Sequence, residues 1–271
     1  MVELFNTDRT IKFEPKAHTY THNGNGERLT SVSRVLESVT LPFDREGVSM
    51  RMAKGDPARQ AQILTEWDAK KDSSIDRGNW IHDALEQYAL TGRIEEKLRP
   101  VAELIRPILK QCHRTFPEAL LYSTHYGTAG QSDLVIQRQR SENSLFDFYD
   151  YKTNESKGIQ FDGVNRKKDK PQHYNKFLLP PLDHMEDCNF NKYAMQLSTY
   201  AFMAQSTWGI KVGRLAILFI DNDLVLHKIA IPYLKLEAKA LLEHHKSMKP
   251  LPQYVEGAVS SDADKDWDND W

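Results

Sequence analysis

The sequence predicts an α/β fold, one sheet covered by helices, with a helical region ahead of the strands. Three observations predict it. Helix-period apolar runs dominate residues 30–115, where Ile81, Leu85 and Tyr88 recur on one face. Three strand-like runs follow Pro117 in close succession. A helical run with Tyr193, Gln196, Leu197 and Tyr200 at i, i+3, i+4 and i+7 then leads into two further strands.

Taken in order, residues 9–32 read as a short hairpin with its turn at Asn23-Gly24. Thr30 or Ser31 offers a hydroxyl to cap a helix over 32–39. Further helices are expected over 57–71, 75–91 and 97–115. Pro107 should kink or split the last of these, because it lacks an N–H and crowds the preceding turn. Strands are expected over 119–126, 131–138 and 145–153, connected by 127-GTAG-130 and 139-QRSENS-144. Residues 155–190 form a long polar insertion. A helix over 192–208 follows, then strands over 213–220 and 224–231 joined by 221-DND-223, then a helix over 232–247. No internal repeat is visible. Residues 1–255 are expected to form one unit, with a helical part over 30–115 and a core over 116–247. The remainder, 256–271, lacks apolar periodicity and is expected to be a disordered acidic tail.

The composition, 40% hydrophobic and 27% charged over 271 residues, is that of a globular protein. The longest apolar run, 215-LAILFI-220, is far short of the ~20 residues that cross a bilayer. The opening MVELFNTDRT lacks the basic start and apolar stretch of a signal peptide, so no membrane association is expected. Cys112 and Cys188 are too few for a disulfide framework or a four-cysteine metal cluster. They point to a reducing compartment, the cytoplasm, or the host cytoplasm if the chain is viral. The net charge of -2 hides an asymmetry. Six acidic residues and one lysine from Glu256 onward give the tail −5 and leave +3 on residues 1–255. Basic groups gather at Lys97, Arg99, Arg106, Lys110 and Arg114, and again in 166-RKKDK-170. For each cluster, solvated surface and nucleic-acid contact are equally good readings.

The segment 145-LFDFYDYKTN-154 carries the chemistry. Asp150 and Lys152 stand two apart at the end of an apolar strand, so their side chains leave on one face. Asp133 lies in 130-GQSDLVI-136, at the start of the preceding strand. If those strands are antiparallel neighbours, both carboxylates reach one end of the sheet. Converging carboxylates repel, and a hard divalent cation is what best reconciles them. A lysine beside that cation can orient a water or hold a phosphate oxygen, which suits phosphodiester hydrolysis. Taken alone, the Asp150–Lys152 pair is more simply a surface salt bridge at a strand end.

Gly130-x-x-Asp133, then Asp150-x-Lys152, then Gln196-x-x-x-Tyr200 together resemble the PD-(D/E)XK nuclease superfamily. The nearest flavour is the RecB-like branch, with its phage exonucleases and mitochondrial genome-maintenance exonuclease. The stretch 77-RGNWIHDALEQY-88 resembles that branch's Gly-x-x-x-His helix. The stretch 18-HTYTHNGNGERLTSVSRVLE-37 resembles the N-terminal segment of its phage and mitochondrial members. The matches span about residues 18–220, and four motifs in order weigh more than any one alone. The resemblance implies a restriction-endonuclease-like mixed sheet flanked by helices. It implies a magnesium-dependent deoxyribonuclease, with manganese as a substitute; the sequence shows no phosphate-binding loop or helicase motif, so no need for ATP is expected. The favoured form is a phage-type exonuclease acting on linear single- or double-stranded DNA in degradation, replication or recombination. A structure-selective endonuclease and a non-catalytic DNA-binding scaffold remain alternatives.

By the same resemblance, Asp133 and Asp150 are metal ligands, His82 is a further ligand and Lys152 is the catalytic lysine. Gln196 and Tyr200 line the site or contact DNA near the scissile phosphate. The Tyr151 carbonyl completes the metal shell. Glu118 is the upstream acidic ligand by position, and Glu86 a weaker candidate. Ser132 stands where the family often has proline. Two cysteines exclude the iron–sulfur cluster that some relatives carry. The mix of cations and aromatics in 166-RKKDKPQHYNKF-177 suits a DNA-contacting loop or a solvated one. The end 262-DADKDWDNDW-271 resembles the acidic, aromatic-ended tails of single-stranded-DNA-binding proteins. It implies a replication or recombination partner, or else a solubility tail. Asp183, His184, Asp187 and Cys188 match no common zinc spacing.

Overall fold

The computed structural model describes residues 4–153, 158–162, 164–165, 172–173 and 175–248. The acidic tail and most of 166-RKKDKPQHYNKF-177 lie outside the described residues. Eight strands form one mixed sheet, covered by helices on both faces. Among the described residues no helix is long and apolar enough to cross a membrane.

The N-terminal segment forms three short strands where one hairpin was expected: β1 (Ile11–Glu14), β2 (Thr19–His22) and β3 (Arg28–Ser31). The Asn23-Gly24 turn joins the second and third. Ser31 then caps α1 (Val32–Glu37) by accepting a hydrogen bond from the Arg34 amide. A helix that the sequence reading missed, α2 (Arg45–Met52), follows and packs on the N-terminal half of α3 (Pro57–Thr91). The 35-residue α3 replaces the two helices expected over 57–71 and 75–91. Its ends are well marked. The Asp56 carboxylate accepts from the Ala58 amide, Pro57 opens the first turn, and Gly92 closes the helix in the left-handed region at φ 72°. Between them 72-DSS-74 is polar but holds neither Pro nor a second cap, so nothing stops the helix.

The helix α4 (Arg99–Lys110) is shorter than the 97–115 expected and runs through Pro107. Pro107 is exposed, so the Glu103 carbonyl it leaves unbonded can turn to water. The next strand, β4 (Arg114–Ser123), accordingly starts before Pro117 and not after it. It pairs with β5 (Thr128–Gln137), and β5 pairs in turn with β6 (Leu145–Lys152), both antiparallel. Among the described residues β4 has no other partner in the sheet, and a strand edge tolerates the proline. The turn between β4 and β5 falls at residues 124–127, so Gly130 lies inside the strand and not in the turn. A small pair, β7 (Val164–Asn165) and β8 (Gln172–His173), precedes α5 (Asn189–Trp208). The chain returns through β9 (Lys211–Ile220), parallel to β6, and β10 (Leu226–Ile231), antiparallel to β9. It then enters α6 (Lys235–Ser247).

The alternation along β6 divides the core. Phe146 and Phe148 face a cluster with α1, α5 and α6 that includes Leu197, Ile217 and Leu241. Tyr149 and Tyr151 face a second cluster with α3 and α4 that includes Ile81, Leu85 and Ile105. Sandwiched between the sheet and α1 and α6, α5 is buried on nearly all sides from Lys192 to Ala204. The N-terminal turn is held to the sheet by Asp8, whose Oδ2 accepts from Tyr122 Oη at 2.8 Å and from Trp208 Nε1 at 2.9 Å.

Candidate metal centre where the strands part

The β5–β6 ladder ends at Leu134 and Tyr149. Beyond it β6 leaves β5, and β3 takes up the same edge of β5 further along, at Thr128 and Ala129. Asp133 stands in the gap between them. The Tyr151 amide, left without a ladder partner, donates instead to Asp133 Oδ2. That bond aims the other carboxylate oxygen at α3, where His82 Nδ1 lies 3.3 Å from Asp133 Oδ1.

Two contacts set α3 over this gap. Arg77 donates to the carbonyl of Thr153 at 2.7 Å and to that of Asp221 at 2.6 Å, just past the ends of β6 and β9. Gly78 faces the same point, where a Cβ would stand in ordinary contact with Thr153 Oγ1 at 3.4 Å. The His82 ring then stands edge-on to Tyr151, with centroids 5.6 Å apart.

Glu118 enters from β4. Its backbone is in the left-handed region at φ 45°, a strained conformation for a residue with a side chain. Asn6 steadies the distortion from both sides. Its amide donates to the Pro117 carbonyl at 2.9 Å, and its oxygen accepts from the Leu120 amide at 2.8 Å. One ligand atom each from His82, Glu118 and Asp133 lie within 4.8 Å of one another.

The electrostatics mark the centre as short of positive charge. Burial, then the Asp133 carboxylate, pushes the Glu118 carboxyl up to about 8. Burial alone would lower the His82 pKa, but Asp133 and Glu118 outweigh it and raise it to about 9. Burial also works against the ionised Asp133, yet His82, Lys152 and the Tyr151 amide hold its pKa below the usual value. Two carboxylates and one imidazole, half-buried and facing each other, are a donor set that fits a divalent cation.

Asp150 and Lys152 stand beside this triad. Their charged groups are 2.9 Å apart, with only 6% and 13% of the side chains exposed, so the pair is not the surface salt bridge that it could have been. Burial lifts Asp150 to about 6 despite Lys152 and with help from Asp133. The Lys152 ammonium also lies 4.8 Å above the Tyr193 ring of α5. Gln196 donates to Tyr200 Oη at 3.2 Å, and both side chains are buried beneath the gap. A Cβ at Gly130 would sit 2.5 Å from Tyr200 Cε1, so only glycine admits that ring. The spacing from Gly130 to Asp133 thus has a packing reason. Glu86 adds negative charge near Glu118 but is not part of the triad. Among the described residues, Asp183, His184, Asp187 and Cys188 form no metal-ligand group; Asp187 pairs with Lys192 at 3.2 Å.

Arg77 was not singled out from the sequence, and Tyr193 was read as part of a helix face and not as a site residue. Arg77 sits one residue before the Gly-x-x-x-His run, which was the only signal available for it. No protein-family model matches the chain, and no curated protein matches it.

Proposed function

We propose that this chain is a divalent-metal-dependent deoxyribonuclease of the RecB-like PD-(D/E)XK kind, an ATP-independent exonuclease working in the cytoplasm of a cell or of a viral host. One observation carries the reading. His82, Glu118 and Asp133, from a helix and two strands, bring ligand atoms within 4.8 Å of one another, beside the buried Asp150–Lys152 pair. A structural salt bridge requires no second and third acid at the same point.

His82, Glu118 and Asp133 would hold the cation, with Asp150 alongside and magnesium or manganese as the ion. When bound, the cation supplies charge for phosphate oxygens and acidity for a water. The protein's own groups do the rest. Asp150 and the Tyr193 ring fix the Lys152 ammonium from two sides, so its charge is aimed before the substrate arrives. Lys152 orients the attacking water or neutralises charge developing on the phosphate. The Tyr151 amide locks the Asp133 rotamer, and its carbonyl leaves the strand toward the same edge, ready to join the metal shell. Gln196 and Tyr200 support the floor under the scissile phosphate. Beyond Arg77, α3 and α2 extend past the sheet as a wall that limits access to DNA ends. The acidic tail is read as a contact for a replication or recombination protein, and a chain ending at residue 257 would then capture no such partner from its host.

The test is digestion of end-labelled linear single- and double-stranded DNA beside circular DNA, with magnesium, manganese or EDTA. Metal-dependent loss of the linear forms alone is the expected result. Cleaved circles would assign an endonuclease. Intact DNA under every condition would sink the proposal.

A further inference from the structure

A second charged cluster lies on the face of the sheet that carries Tyr149. It draws on four neighbouring strands. Asp147 of β6 is 3% exposed and accepts two hydrogen bonds from Arg138, at the end of β5, at 2.9 and 2.7 Å. The Arg214 amide of β9 donates to the same carboxylate at 2.7 Å. Lys228 of β10 reaches across to lie 5.1 Å above the Tyr149 ring. Burial, then Asp147, raises Tyr149 to about 12, and its hydroxyl bonds to Asp147.

The sequence reserves space for this arrangement. A Cβ at Gly213 would fall 2.2 Å from Asp147 Oδ1 and 3.3 Å from Arg138 Nη2. Only glycine lets the carboxylate reach the Arg214 amide and the Arg138 fork together.

The charges do not balance. Arg138 alone neutralises Asp147 in a bidentate pair. Arg214 and Lys228 add two more cations, both on exposed residues, around a carboxylate that is already satisfied. Their crowding is felt. Burial, then Arg214, then Arg138, lowers the Lys228 pKa, with Asp147 only partly offsetting them. Lys228 is held over the Tyr149 ring, Arg138 is held by Asp147, and Arg214 stands on the strand between theirs, so three cations share one patch that can receive negative charge.

We propose that Arg138, Arg214 and Lys228 form a binding site for a phosphate-type oxyanion, either free phosphate or a phosphodiester of a nucleic-acid backbone. It is separate from the metal centre: Asp147 lies three residues before Asp150, ~10 Å along the strand. The inference rests on this cluster alone and holds whether or not the chain is a nuclease.

The test is thermal melting in EDTA with added inorganic phosphate, against chloride at equal ionic strength. Wild type is compared with the double variant Arg214→Gln/Lys228→Gln and the charge-keeping Arg214→Lys/Lys228→Arg. Phosphate is expected to raise the wild-type melting temperature by mass action. The Gln pair should weaken its apparent affinity about tenfold or more, and the charge-keeping pair should restore most of it. Without phosphate, at low salt, the Gln pair should melt no lower than wild type, because repulsion has been relieved. A second arm measures a fluorescein-labelled single-stranded oligonucleotide in EDTA across salt. If the backbone is the ligand, the log–log slope falls by ~0.7 per lost contact. An unchanged slope with a lost phosphate response would assign the site to a free anion. Equal phosphate responses in wild type and the Gln pair, or a Gln pair that melts well below wild type without phosphate, would overturn the proposal.

Discussion

Lys152 contributes charge more than packing, since its ammonium is held by Asp150 and by the Tyr193 ring at the rim of the gap. On the proposed function, Lys152→Ala should therefore cut metal-dependent cleavage by about 10²–10³ or more, and it should also lower the melting temperature, because Asp150 is left buried without its counter-charge. Wild-type turnover by the purified variant would remove Lys152 from the mechanism. Gly130 acts only through space. Gly130→Ala pushes a methyl into Tyr200 and should cost about 1–3 kcal/mol in denaturant unfolding. Asp8 gives a pH signature. Burial would raise its pKa, but hydrogen bonds from Thr10, Tyr122 and Trp208 prevail and lower it from 3.8. A carboxylate with a depressed folded pKa stabilises fully above its unfolded pKa and loses that contribution as pH falls through the folded one. Wild type should thus exceed Asp8→Asn in stability at neutral pH, with the gap narrowing below about pH 4. Urea unfolding of both proteins across pH reads this directly. At this scale the sequence is legible where chemistry and period coincide. Asp150 and Lys152 share a strand face, and His82 follows a glycine by one helical turn. The Arg214 amide, the Asn6 brace and the Tyr193 contact with Lys152 are not legible, because each acts across a long sequence separation.

Element by element, α3 departs furthest from expectation. Its C-terminal half packs Ile81, Leu85 and Tyr88 against the second core cluster, whereas its N-terminal half buries Ile63. In sequence the two halves look like separate helices, because the apolar stripe thins between them. Continuity comes instead from the caps at Asp56 and Gly92 and from the Arg77 anchor. Amides over 60–72 should exchange with deuterium well ahead of those over 80–90, since local opening follows sparse burial. Equal protection along the helix would show that α2 stabilises the outer half as strongly as the sheet stabilises the inner one. The strand β4 teaches a similar lesson. Pro117 suggests a strand beginning after it, yet an edge strand can accept a proline, and β4 begins at Arg114. At the N-terminus the hairpin turn at Asn23-Gly24 is legible, but the third strand escapes notice because four residues are too few to display a period.

For the molecule as a whole, the candidate metal centre is a local weakness that a bound cation would mend. Glu118 combines a left-handed backbone with a buried carboxylate facing Asp133. Glu118→Gln should raise the melting temperature of the metal-free protein. The wild type should gain from manganese, by about 2.7 kcal/mol at a hundredfold excess over the dissociation constant, and the variant much less. A variant that gains as much as wild type would show that Glu118 is not a ligand. The parallel pairing of β6 with β9 bears on how the chain reaches this state. Leu145 pairs with Lys211 and Lys152 with Phe219, so the entire insertion and α5 must be traversed before the middle of the sheet can close. The hairpins β4–β5–β6 and β9–β10 need no such journey and can form early, from local contacts. Lys152 and the Arg77 anchor at Thr153 and Asp221 belong to the late contact, because Asp221 follows β9. The chain therefore gains its strands before it assembles the candidate site. A ribosome-bound chain that has not yet emerged past residue 220 would hold the carboxylates of the site without the seam that aligns them, and on the proposed function it would be inert toward the nucleic acid around it.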